Sequence, residues 1–286
     1  MGNVTPLFKN PPATKIVVIE GVDGVGKATQ TQLLCSALEK KGFSVVDFSF
    51  PMYLQPWGRV IKKMLSNEAT INPNGVLVSP TVFHNNPYIK SMAYLDNFAE
   101  AYLTYSGITS FTSGTYKRDF IVFDRYVSSM IAFAYASCVC KNQEMPVSSK
   151  QHDWKKVMEF INCYFLGVKI DLQINLIADL NATKANLDTR YKGHQVTDVH
   201  EQDTDLMHVV SELYRLNKDF IFEPIDSLSP DPSLHRHKPR QFFNSIYHER
   251  SDIDVINCMG ADSVIRSKED IAKDVMTSVE NYFQLT

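Results

Sequence analysis

The stretch KIVVIEGVDGVGKATQTQLL, from Lys15 to Leu34, constrains this chain more than any other. An apolar β-branched run leads into a glycine-rich loop, and a helical pattern follows. Gly21, Gly24 and Gly26 let the backbone turn tightly enough for successive N–H groups to point inward at a phosphate. The next helix adds the positive end of its dipole, and Lys27 is placed to reach terminal phosphates as a point charge. The pattern GxxxxGK runs from Gly21 to Lys27 in the strand–loop–helix context that such a loop needs. One part is absent. The position after the lysine, where a metal-binding hydroxyl is expected, holds Ala28, and Thr29 lies about 100° further round the helix.

A loop of this kind belongs on a parallel sheet, and the remaining pattern agrees. Strands are expected at Lys15–Glu20, Phe43–Ser49, Asp119–Phe123, Leu172–Ile177 and Asp254–Asn257. Helical periods fall at Ala28–Lys41, Gly58–Leu65, Tyr88–Tyr105, Ser128–Ala136, Trp154–Phe165, Thr183–Thr189, Asp203–Phe222 and Asp270–Phe283. Continuous apolar runs such as IVVI and FIVF mark strands covered on both faces. The expectation is a three-layer α/β fold: one domain over residues 1–286, with a parallel sheet of about five strands. Two segments, 70–86 and 223–245, read as surface insertions; the prolines and serines of the second preclude regular structure.

A second constellation sits in FIVFDRYVSSMIAFAYA, Phe120 to Ala136. Asp124 and Arg125 fall at the C-terminal end of a strand, the edge where open α/β sheets bind ligands. An arginine there clamps a phosphate bidentately, and the same pair could equally cap the following helix. The net charge of -3 offers no basic field for nucleic acid. No run of about 18 apolar residues points to a membrane. Five cysteines without CxxC spacing imply a reducing, cytoplasmic setting, and Cys138 and Cys140 with His235 and His237 match no zinc pattern.

Together, EGVDGVGKATQ, SFPMYLQPWGRVIKKML, NPYIKSMAYLDNFAEAY, FDRYVSSMIAF, KIDLQINLIADLN, DVHEQDTDLMHVVSELY and the closing DIDVINC and SKEDIAKDV resemble the thymidylate kinase family. They occur in that family's order from Lys15 to Phe283. The resemblance implies a P-loop fold that moves the γ-phosphate of ATP onto dTMP or a related deoxynucleotide, with Mg²⁺. It places Gly21, Val22, Asp23, Gly24, Val25, Gly26, Lys27, Ala28 and Thr29 around ATP. Lys27, Asp23 and Arg125 become the catalytic set, and Asp23 and Asp124 the metal ligands. Phe50, Tyr53, Asn97, Arg125, Ser129 and Phe133 would hold the monophosphate, Phe133 by stacking on the base. The stretch from Arg190 to Glu201 matches the family's lid, with Arg190 or Lys192 as its cation, and pairing as a homodimer is implied as well.

Three departures coincide at this centre. Ala28 replaces the loop hydroxyl, Met52 stands where the family's FPRY arginine contacts the acceptor, and Asn97 replaces a further arginine. Ala93 falls where an aromatic stacks on thymine, with Tyr94 adjacent. Each charge-assisted hydrogen bond contributes about 1.5–3 kcal/mol, so two lost arginines would cost roughly two to four decades of affinity. Two readings remain open: a working monophosphate kinase, or a silent nucleotide-binding relative acting as sensor or partner. A guanine-binding NKxD signature is absent.

Overall fold

The computed structural model describes residues 14–103, 108–112, 116–140, 156–161, 164, 168–191, 199–215 and 247–285. Among them, β1 (Lys15–Gly21), β2 (Val45–Ser49), β5 (Phe120–Asp124), β6 (Ile170–Ile177) and β7 (Tyr247–Asn257) form one parallel sheet in the order β2-β5-β1-β6-β7. The sequence-derived strand positions hold within a few residues; the last strand begins earlier than its apolar run suggested. Ile16–Ile19 and Phe120–Phe123 are wholly buried, as expected of strands covered on both faces. Removing each such side chain from water contributes about 1.5–3 kcal/mol, which makes these two strands the rigid base of the site.

Helices α1 (Lys27–Lys40) and α10 (Lys268–Phe283) pack together as one layer. The other layer holds α4 (Pro87–Leu103), α6 (Val127–Cys140) and α9 (Thr204–Arg215). The result is a three-layer α/β fold with phosphate-loop topology. Ser267 caps α10 by accepting from the Asp270 N–H at 3.1 Å. Between β6 and α9 lie α7 (Leu180–Tyr191) and the short α8 (Val199–Gln202). No helix among the described residues is long and apolar enough to cross a membrane.

Residues 70–86 contain a two-stranded hairpin, β3 (Thr70–Ile71) with β4 (Leu77–Val78), and a short helix α3 (Pro80–Asn85). Only part of this segment is surface. Ile71, Val76 and Leu77 are exposed, yet Phe83 is fully buried against Val60, Ile61 and Met64 of α2 (Pro56–Leu65). Residues 223–245 lie outside the described residues.

Candidate active site

The site begins with the loop after β1. Gly21 (φ +146°) and Gly24 (φ +81°) adopt conformations that L side chains rarely take. Both also sit against backbone: a Cβ on Gly21 would lie 2.5 Å from the Leu176 oxygen, and one on Gly24 2.3 Å from the Thr183 oxygen. The loop is thus clamped between its own turn and α7, whose Asn186 donates to the Gly24 carbonyl at 3.0 Å. Val22 and Val25 are buried behind it.

Lys27 is almost fully buried, and its ammonium donates to the Val22 carbonyl at 2.8 Å and stands 3.6 Å from Asp23. Burial, with the Arg125 guanidinium nearby, pushes its pKa down to about 8. Asp23 pairs with Arg125. Burial pushes the Asp23 carboxyl up, but Arg125 and Lys27 outweigh it and hold the group well below the usual carboxylate range. The same pair holds Arg125 firmly protonated, against the opposing effect of burial.

Arg125 has φ +65°, a left-handed backbone in a non-glycine residue. Its N–H donates to the Ile19 carbonyl at 3.0 Å, and its guanidinium reaches the Gly21 carbonyl at 3.4 Å and Ser129 Oγ at 3.2 Å. Beside it Asp124 is buried; Ser49 Oγ donates to its Oδ2 at 3.2 Å, while Oδ1 has no hydrogen-bond partner among the described residues.

These groups open onto a cavity of about 560 Å³. Asp23, Lys27, Asp124, Arg125 and Ser129 form its polar end, and Phe50, Tyr53, Tyr94, Phe98, Met130 and Phe133 its apolar walls. A second cavity of about 500 Å³ lies on the other side of the loop, lined by Gln30, Ala182, Ser263, Arg266 and Lys268. Gly26, Thr29 and Asn186 border both.

The thymidylate kinase family profile matches residues 19–150. The thymidylate kinase of Mycobacterium tuberculosis is 27% identical over 202 residues, covering 70% of this chain and 83% of that protein. A probable thymidylate kinase of Caldivirga maquilingensis is 25% identical over 200 residues, covering 69% and 78%. The solved thymidylate kinase of Candida albicans superposes with a TM-score of 0.53 at 18% identity over 94% of this chain and 92% of that one, which speaks for the fold. Over most of its length the chain is similar to thymidylate kinases, and residues 19–150 match that family's model.

Set against that family's pattern, the positions divide. Asp23, Gly24, Gly26, Lys27, Ala28, Thr29, Phe50, Tyr53, Asp124, Arg125, Ser129 and Phe133 all border the larger cavity. Asn97 does not. It is buried, accepting from the Met52 N–H at 2.9 Å and reaching Glu100 at 3.4 Å, so its amide is spent on holding the loop after β2. Met52 packs against the core, and Ala93 joins the Phe83 cluster, leaving Tyr94 as the aromatic on the cavity wall. The Arg190 side chain and Lys192 lie outside the described residues.

Phe133 meets an unforeseen neighbour. The His200 ring stacks on it at 5.1 Å and 17°, so one aromatic face is already covered. His200 lies 3.1 Å from the buried Lys90 ammonium. Sequence reading also missed Ser263, Arg266 and Lys268; the available signal was their place after the last strand, at the sheet edge that binds ligands.

Proposed function

We propose that this chain is an ATP-dependent nucleoside monophosphate kinase acting on dTMP or a related deoxynucleoside monophosphate. The observation that carries the reading is the pair of cavities meeting at the phosphate loop, with Gly26 and Thr29 on their common border. In-line phosphoryl transfer needs two nucleotides whose phosphates meet end to end. The smaller cavity suits the donor base, beside Gln30 and Arg266, and the larger one the acceptor.

In this scheme the loop N–H groups and Lys27 hold the donor phosphates, and the Arg125 guanidinium clamps the acceptor phosphate at the cavity's polar end. An acceptor oxygen forms the new bond to the γ-phosphorus while the bridging β–γ oxygen leaves with ADP. Both phosphates arrive ionised, so positioning and charge neutralisation supply most of the catalysis. The neutralising charges come from Lys27 and Arg125, both paired with Asp23.

The residues present fit a divalent cation. Asp124 keeps a buried oxygen without a partner among the described residues, and Asp23 opens onto the same cavity. Asp23 and Asp124 would hold Mg²⁺, which would supply neutralisation of phosphate charge there.

The relatives found are themselves thymidylate kinases, so the silent-relative alternative gains no support from them. The test is an acceptor screen: ATP and Mg²⁺ with each common nucleoside monophosphate, followed by chromatography of the products. Diphosphate formed from dTMP or another deoxynucleotide supports the proposal. ATP binding with no product from any acceptor would overturn it.

A further inference from the structure

We infer that Glu20 is the positioning residue for Arg125, acting through Ser129, and that it thereby sets how firmly the acceptor phosphate is held. The inference rests on the kinase reading above. Glu20 is the next-to-last residue of β1, beside the phosphate loop, and is completely buried. Buried carboxylates need partners, and this one has five donors. Its Oε1 accepts from the Tyr126 N–H at 2.9 Å, the Ser129 N–H at 3.1 Å and Ser128 Oγ at 2.9 Å. Its Oε2 accepts from Ser129 Oγ at 2.5 Å and the Tyr214 hydroxyl at 3.1 Å.

The consequence lies in the single proton of Ser129. Because that proton goes to Glu20, a lone pair of Ser129 Oγ is left to accept from Arg125 Nη1 at 3.2 Å. The carboxylate therefore fixes the direction of the Ser129 hydroxyl, and the hydroxyl fixes one arm of the guanidinium. The backbone is held as well: the left-handed Arg125 sits between its own N–H on Ile19 and the Tyr126 N–H on Glu20. Tyr214 brings α9 into the same network, and burial beside Glu20 keeps its hydroxyl protonated and able to donate.

Glu20→Gln tests this with almost no change of shape. The amide oxygen must take the Oε1 position, because two rigid backbone N–H groups point there. The amide nitrogen then faces Ser129 and Tyr214, whose hydroxyls reverse. Ser129 then has no carboxylate to take its proton, which can turn toward the Tyr214 hydroxyl at 3.1 Å or toward Arg125, so the hydroxyl direction that held the guanidinium is no longer fixed. A residue that only capped α6 would not move the arginine.

The expected result for Glu20→Gln is an acceptor KM raised about tenfold, the equivalent of one lost charge-assisted contact, with the ATP KM unchanged within about twofold. Tyr214→Phe removes one donor and keeps the carboxylate; it should raise the acceptor KM about threefold, and it decides the matter if Glu20→Gln does not fold. Acceptor and ATP KM values that rise together, or an acceptor KM that stays at wild type in both variants, would overturn the inference. If wild type turns over no acceptor, the kinase reading fails separately. The Arg125 side-chain ¹⁵N signal, assigned through Arg125→Lys, then decides: broadening or displacement in Glu20→Gln supports positioning, and an unchanged signal refutes it.

Discussion

The phosphate loop and the proposed acceptor wall are built in opposite ways. From Gly21 to Thr29 each position answers to local backbone geometry: glycines take left-handed conformations where side chains would strike Leu176 or Thr183, and the helix starts at Lys27. The proposed acceptor wall gathers Phe50, Tyr94, Phe98, Phe133 and His200 from four separate elements or their flanks. A locally dictated loop keeps its shape after losing the hydroxyl at position 28. Behind a wall assembled from distant pieces, Met52 and Asn97 stand where the resemblance implies arginines, and Asn97 is spent on the backbone of Met52. The loop is therefore where substitutions should abolish function, and the wall is where they should retune it.

The largest expected effect is Lys27→Ala. Removing the one buried cation that the loop carries should lower kcat/KM by about a thousandfold or more, read from initial rates at saturating ATP. Arg125→Ala comes next, with an acceptor KM about a hundredfold higher and a small change for ATP, measured by varying each substrate in turn. Gly24→Ala tests the clamp instead of the chemistry. Its positive φ and the 2.3 Å approach to Thr183 should cost about 1–3 kcal/mol of stability, visible as a lower urea midpoint.

A pH effect separates the two regions further. In the free protein Lys27 loses its proton near pH 8, below its ordinary range, because burial disfavours the charged form. Phosphate binding needs that charge, so ATP affinity should fall as pH rises through about 8, by up to about tenfold per unit, with proton uptake on binding. Calorimetry in two buffers of different ionisation enthalpy checks this, and Lys27→Arg should remove the dependence. The smallest effect belongs to the wall: Met52→Arg should lower the acceptor KM about fivefold while leaving ATP untouched.

The same division explains what could be read from the chain. Ile16–Ile19 and Phe120–Phe123 announce buried strands through composition alone, and the loop announces itself through glycine spacing. Asp124 and Arg125 were legible because they end a strand. Glu20 was not, since its five donors come from residues 106 or more positions away along the chain. His200 lacked a local signal for the same reason: its contact with Phe133 is a product of packing, whereas Ser263–Lys268 were signalled only by their place after the last strand. Asn97 shows the converse case, a position assigned to the ligand by resemblance whose side chain turns instead to the backbone of Met52.

The most direct measurement of the central claim is ADP release with ATP, Mg²⁺ and dTMP, run on wild type beside Lys27→Ala. Wild type should turn over and the variant should not, the loop working without a hydroxyl at position 28. Equal rates in the two proteins, or no release from wild type although ATP binds, would contradict it.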